Sequence, residues 1–277
     1  MKVGLISCSN GQQNEWEDDI NKLEKYLSEI GIESVKAKHL YAKDGVFSGT
    51  AKERVDDLMA FYLDDSIDAI YDISGGDIAN EILKFLDYDL IKRAGKTFWG
   101  YSDLTTVINA IYTMTGRPSV LYQVKNLVWN ADLQQIRFMN TLIAGCNDLY
   151  DIRYKFLQGQ CMEGVIVGGN IRCLLKLAGT RYWPDMKGKI LLLEALSGDM
   201  PRIATYLAQL DQIGVFAEVS GILLGTFTQY EKSHASKSVY ELLLPYINEK
   251  LPVAKTPDVG RGKDARAVRI GDYAYFG

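Results

Sequence analysis

Residues 97–115, TFWGYSDLTTVINAIYTMT, contain the strand-to-helix transition that decides the fold. The short apolar stretch from Thr97 to Tyr101 predicts a buried strand. From Thr105 onwards, apolar residues recur at the three- and four-residue spacing of a helix. Ser102 therefore falls on the turn between a strand and a helix, and this pair of elements is the repeating unit of an α/β fold.

Apolar stretches and helical periodicity alternate in the same way through the first half of the chain. Gly31 ends the first helical pattern, and Thr50 can cap the second. Such alternation predicts a doubly wound parallel sheet that binds ligands at the carboxyl ends of its strands. The other predicted strands are Val3 to Cys8, Ser34 to Lys38 and Ala69 to Ile73, and a further helix is predicted from Ile78 to Phe85.

The stretch from Cys146 to Glu163 is polar and aromatic with weak periodicity, so we place a domain boundary near residue 150. The expected fold class is α/β: an N-terminal doubly wound parallel sheet over residues 1–150, a smaller mixed α/β domain over 151–277, and the active site between them. The second domain should contain strands Gly164 to Val167, Lys189 to Glu194 and Gly221 to Phe227, and helices Ile203 to Ile213 and Val239 to Leu251.

The composition excludes several classes of function. The chain has 277 residues, 47% of them hydrophobic, and a net charge of -4, so it can bury a core and lacks the basic surface that binds nucleic acid. No stretch reaches the roughly 18 uncharged apolar residues that span a membrane, and we expect a cytoplasmic protein with no membrane partner. The cysteines (Cys8, Cys146, Cys161 and Cys173) are too scattered for a metal site, and we expect neither metal nor cofactor.

Three features could carry chemistry. Ser102 has the position of a nucleophile on a strand-to-helix elbow, with the backbone N–H of Asp103 directed at a developing oxyanion, although a serine here could also simply cap the helix. Gly75 and Gly76 follow the Ala69 strand, where they could offer N–H groups to a ligand or merely form a tight turn. Glu194 ends the apolar run ILLL, where a carboxylate is costly unless it is paired or catalytic.

Four segments together resemble the LD-carboxypeptidases and the microcin C self-immunity peptidases, a family of serine peptidases. They occur in the family's order and cover nearly the whole chain. The segments are ISGGDIANEILKFLDYDLIK (73–92), KTFWGYSDLTTVINAIYTMTG (96–116), VGGNIRCLLKLAGTRYWPDMKGKILLLEAL (167–196) and VGRGKDARAVRIG (259–271).

The resemblance implies roles for several residues. It makes Ser102 the nucleophile and Glu194 a member of the catalytic triad. It also implies an oxyanion hole built from the N–H of Asp103 and an N–H of Gly75 or Gly76. Asn170, in the GGN motif, would either orient the site or form a turn.

The third triad residue departs from the family pattern. A family histidine follows a glycine about ten residues before the terminal apolar-Ile-Gly turn, and here that position holds Arg261. An arginine, whose pKa exceeds 12, cannot accept the serine proton near pH 7, although it could form an ion pair with Glu194. His234 is the other histidine of the second domain and a substitute base in principle, while His39 belongs to the first domain.

The resemblance implies hydrolysis of an amide bond near a free carboxylate, in a muropeptide or in a peptidyl-nucleotide, by a homodimer. Arg261 keeps a second reading open, in which the chain is a catalytically degenerate ligand-binding protein. A nucleotide-binding module is the third reading. It is weakened by the incomplete GxGxxG pattern and by lysines, Lys36 and Lys38, where an acidic residue would contact a ribose.

Overall fold

The structure is a computed structural model that describes residues 1–233 and 236–277. Within these residues the strands form two six-stranded sheets with helices against their faces. None of the described helices is long and apolar enough to cross a membrane. The helices are α1 Glu17–Glu29, α2 Ala51–Leu63, α3 Tyr88–Ala94, α4 Thr105–Thr115, α5 Asn126–Trp129, α6 Ala131–Leu142, α7 Ile171–Leu175, α8 Met200–Gln212, α9 Val215–Glu218, α10 Thr228–Lys232 and α11 Val239–Leu243.

The first sheet confirms the predicted doubly wound arrangement. Its strands are β1 Lys2–Ile6, β2 Glu33–Lys36, β3 Ala69–Asp72, β4 Thr97–Gly100, β5 Ser119–Leu121 and β11 Val268–Ile270, in the spatial order β11-β5-β4-β3-β1-β2. The five N-terminal strands are parallel, and the order reverses between β1 and β3. This reversal is the switch point at which such sheets form a crevice for ligands.

The second sheet is also mainly parallel. Its strands are β6 Lys155–Gln158, β7 Met162–Asn170, β8 Ile190–Ala195, β9 Gly221–Phe227, β10 Val253–Lys255 and β12 Tyr273–Phe276, in the order β12-β7-β8-β9-β10-β6. Strands β7 to β10 run parallel, while β12 and β6 close the two edges in antiparallel pairing. Between β10 and β12 the chain returns to the first sheet, where β11 pairs antiparallel with β5.

Helix α4 lies between the two sheets. Most of its residues are buried, and none of them carries a charge. The side-chain amide of Asn109 donates to Gly168 O at 2.9 Å and accepts from Gly168 N–H at 2.9 Å, so it satisfies the backbone of β7 across the interface. A buried apolar cluster continues from the first sheet, at Ile70, to the second, at Leu192.

Two predicted helices differ from the observed ones. The segment predicted as a helix from Ile78 to Phe85 is a 3-10 helix, Ala79–Phe85. The helix predicted to reach Leu251 ends at Leu243 and continues only as a 3-10 turn that contains Pro245. Proline lacks the N–H that would continue an α-helix, which accounts for the early end.

Candidate active site

Ser102 lies on a strained elbow between β4 and α4. Its φ is +60°, and among the described residues it is the one non-glycine residue with a positive φ. This left-handed conformation costs an L-residue about 1 kcal/mol and persists only where the surroundings impose it. The N-cap position of α4 belongs to Leu104, without a side-chain cap, so Ser102 does not serve as the helix cap. The geometry matches a nucleophile elbow.

The carboxylate of Asp103 anchors this elbow. It is fully buried and accepts hydrogen bonds from the Ser9 hydroxyl at 2.7 Å and from the Ala79 N–H at 2.8 Å. Lys176, from the second domain, donates to its other oxygen at 2.6 Å. Three separate segments thus hold the residue whose backbone N–H follows the serine.

The glycine pair lies beside the serine. A Cβ on Gly75 would be 3.9 Å from Ser102 Cβ, which places this glycine at the elbow. Gly76 has φ +131°, and a Cβ there would come within 2.1 Å of the Asn10 side chain. Both the conformation and the close approach require glycine at position 76.

Glu194 and Asn170 form a buried pair on neighbouring strands. They are opposite each other in the β7–β8 register, and Asn170 Nδ2 donates to Glu194 Oε1 at 3.0 Å. Asn170 Oδ1 also accepts from Cys173 N–H at 3.2 Å and so caps α7. Both readings of Asn170 therefore describe it: it orients the carboxylate, and it forms the turn into a helix. Burial raises the pKa of Glu194, while Arg261 and the Asn170 hydrogen bond act in the lowering direction.

Arg261 contacts the serine rather than Glu194. Its Nη2 donates to Ser102 Oγ at 2.5 Å, and its guanidinium stacks over the Tyr101 ring at 4.4 Å from the centroid. The ion pair between Arg261 and Glu194 that the sequence allowed is not formed. Glu194 Oε2 has no hydrogen-bond partner among the described residues. The charge of Arg261 still reaches Glu194, where it favours the ionised form.

These groups surround a cavity of about 270 Å³ between the domains. It brings together the predicted residues Ser102, Gly76, Asn170 and Arg261, while Glu194 lies behind Asn170. Sequence reasoning missed Arg172, which lines the cavity, and Lys176, which supports Asp103. Their only signal was a pair of basic residues four apart after the GGN motif. The full lining is Gly76, Ser102, Asn170, Arg172, Ala195, Leu196, Ser197 and Arg261.

His39 is the one histidine that the structure describes, and it lies away from Ser102 and Glu194. His39 is buried against α2, where its Nδ1 lies 3.1 Å from Asp57 Oδ2, and it does not line the cavity. His234 lies outside the residues that the structure describes. No group of three or more potential metal ligands occurs within the described ranges.

A serine on a strained strand-to-helix elbow, beside a glycine pair and a buried glutamate from a second α/β sheet, defines a peptidase-type hydrolase fold. Comparison of the sequence with known protein families supports this class. Residues 3–122 match the LD-carboxypeptidase N-terminal domain and residues 163–275 match the LD-carboxypeptidase C-terminal domain. The chain belongs to the LD-carboxypeptidase family of serine peptidases.

Several relatives are known by name. The chain is 29% identical to a probable murein peptide carboxypeptidase of Bacillus subtilis, over 89% of this chain and 80% of that protein. It is 27% identical to the microcin C7 self-immunity protein MccF of Escherichia coli, over 83% of this chain and 76% of that protein. The solved apo structure of MccF shares the fold, with a TM-score of 0.87, 22% identity, and coverage of 99% of this chain and 92% of that one.

Proposed function

We propose that this chain is a serine hydrolase that cleaves an amide bond near a free carboxylate in a small peptide or peptidyl-nucleotide. The observation that carries the proposal is Ser102 at φ +60°, the strained conformation of an elbow nucleophile. The names of the relatives support the substrate class, since one is called a murein peptide carboxypeptidase. The other, MccF, has been solved in complex with aspartyl sulfamoyl adenosine.

In this proposal Ser102 attacks the carbonyl carbon. The N–H groups of Asp103 and of Gly75 or Gly76 stabilise the oxyanion, since Gly75 and Asp103 both adjoin the serine. Glu194, held by Asn170, supplies the triad carboxylate from the second domain. The reaction needs no metal or organic cofactor.

Arg261 leaves the proposed site without a general base. A guanidinium donates hydrogen bonds and accepts none, so it cannot take the proton that Ser102 must lose. We therefore propose that turnover is slow. The contact between Arg261 and Ser102 also favours a second candidate, a ligand-binding protein of the same fold in which the serine is no longer a nucleophile.

The proposal extends to organisation and location. Residues 1–150 would supply the nucleophile and residues 151–277 the rest of the site. We also propose a cytoplasmic homodimer whose partner is a small molecule rather than nucleic acid or a membrane. Chromatography with light scattering on the purified chain measures the oligomeric state.

The test is Arg261→His. An imidazole at this position can accept the serine proton and return it to the leaving amine, so we expect amidase activity to rise by at least about a hundredfold. The assay uses a murein tetrapeptide and an aspartyl acyl-sulfamoyl nucleotide, with mass spectrometry of the products. The control is Arg261→His combined with Ser102→Ala, which should abolish the gain. A folded Arg261→His variant without any gain would support the binding protein instead.

A further inference from the structure

The interdomain cavity has an unbalanced charge. Two guanidinium groups, Arg172 and Arg261, line it, and none of its lining residues is acidic. Such a concave, partly enclosed surface with one sign of charge concentrates ligands of the opposite sign. The other polar side chains of the lining, such as Asn170 and Ser197, are neutral and can donate further hydrogen bonds.

Nearby carboxylates offset only part of the positive charge of Arg172 and Arg261. Asp77 is ion-paired with Arg172 but also lies 3.8 Å from Lys176, so two cations share one acid. Asp103 is fully buried and already bound by Lys176. Glu194 is directed at Asn170, and burial favours its neutral form. Arg261 has no carboxylate within 4.0 Å among the described residues.

Arg172 is held in place at the mouth of this cavity. Its Nη1 pairs with Asp77, and its Nη2 donates to Gly76 O at 3.3 Å. Its side chain keeps 41% of its exposure, so a ligand can reach it. These two contacts use two of the five N–H donors of the guanidinium, so Nε–H and one N–H on each of Nη1 and Nη2 remain to bind the two oxygens of a ligand carboxylate.

The volume limits the ligand. About 270 Å³ lies just below the usual range of ligand pockets, about 300–1,000 Å³. The cavity therefore holds one or two amino-acid residues of a ligand, and the rest of a muropeptide or peptidyl-nucleotide would lie outside it. A terminal residue with its free carboxylate combines the right charge and the right size.

We propose that Arg172 is the specificity-determining residue that binds the free carboxylate of the ligand's terminal residue, with Arg261 as the second positive group. The inference rests on the proposed function and assigns the carboxylate to a particular side chain. The contacts of Arg172 with Gly76 and Asp77 fix this carboxylate-binding side chain relative to the proposed oxyanion donors.

Isothermal titration calorimetry of the intact chain tests the proposal with L-alanyl-D-alanine and its C-terminal amide. We expect the acid to bind at least tenfold more tightly than the amide, and Arg172→Met to remove this preference. Arg172→Lys, which keeps the charge but loses the fork, should fall between the two. Arg93→Met, an exposed arginine of α3, is the matched control and should leave the preference intact.

Several results would overturn the proposal. These are equal affinity for acid and amide, no binding of either, an unchanged preference in folded Arg172→Met, or competition by inorganic phosphate at the same affinity as the dipeptide. Far-UV circular dichroism establishes that each variant is folded. Turnover is followed separately by mass spectrometry. If the chain prefers the acid but shows no turnover, the proposed hydrolase is contradicted and the carboxylate site is supported. If it shows turnover but no preference for the acid, the carboxylate site is contradicted and the hydrolase is supported.

Discussion

At the scale of single residues, Ser102 carries a backbone conformation that its side chain disfavours. With φ at +60°, its Cβ approaches neighbouring backbone atoms, an effect that only glycine avoids. We expect Ser102→Gly to be more stable than Ser102→Ala by about 1 kcal/mol, since both lack the hydroxyl and only alanine keeps the Cβ. Chemical denaturation measures the difference.

Ala110 in α4 gives the matched control. Ala110→Gly lies inside a regular helix and should destabilise the protein by about 1 kcal/mol, the reverse of the effect at position 102. If glycine proved less stable than alanine at both positions, the elbow would not be strained.

Glu194 should make the stability depend on pH. Burial raises its pKa above the ordinary value of 4.5, so the folded state keeps the proton to a higher pH than the unfolded state does. The folded state then binds more protons than the unfolded one, and stability falls as pH rises through this window. We expect Glu194→Gln to match the parent near pH 4 and to melt higher than the parent at pH 8. If the difference in melting temperature between variant and parent stays constant with pH, or if the parent melts higher at pH 8, the raised pKa of Glu194 is contradicted.

At the scale of elements, the side-chain amide of Asn109 ties α4 to β7 of the second sheet. Asn109 satisfies both the N–H and the C=O of Gly168, and Asn109→Leu would leave both buried without partners. Each unsatisfied group costs about 1–3 kcal/mol, so we expect a loss of about 2–5 kcal/mol in the free energy of unfolding. Thr113 lies on the same helix, and its buried hydroxyl has no hydrogen-bond partner in the described part of the chain. Thr113→Val should therefore be neutral or stabilising, and a comparable loss in both variants would exclude the bridging role.

The sequence predicted the elements that depend on local chemistry. Gly31 follows α1 with φ +77°, and Thr50 caps α2 through a capping box with Glu53. The seven strands that the sequence predicted were correct to within one or two residues, except that β7 extends further than predicted, to Met162–Asn170. The short strands β5, β6, β10, β11 and β12 were not predicted, because three or four residues carry little periodicity. The pairing of β11 with β5 arises only from the tertiary fold.

Part of the candidate site could also be predicted from the sequence, because it too depends on local strand and turn patterns. Ser102, Gly76 and Asn170 each follow a strand and meet at the ends of two sheets. Arg172 and Lys176 were not recognised, because two basic residues four apart on a helix usually mark a solvated face. Their partners, Asp77 and Asp103, lie in the other domain and are 95 and 73 residues away in sequence.

At the scale of the whole molecule, the two domains share one of the three buried apolar clusters found among the described residues. One buried apolar cluster contains Ile6 and Phe98 of the first sheet together with Ile166 and Leu223 of the second. The chain also crosses back, since Val268–Ile270 forms the edge strand beside β5. The candidate site residues lie along this shared interface, so the integrity of the candidate site depends on both domains being folded.

We therefore expect the intact chain to unfold in one cooperative transition. The shared core and the exchanged strand β11 mean that neither half can unfold without exposing apolar surface of the other. Differential scanning calorimetry should give a calorimetric enthalpy equal to the van't Hoff enthalpy. A fragment of residues 1–150 lacks β11 and the second sheet, and it should show no cooperative transition by itself. Two resolved transitions in the intact chain, or a cooperatively folded fragment, would show that the two domains fold independently and that the site forms when they dock.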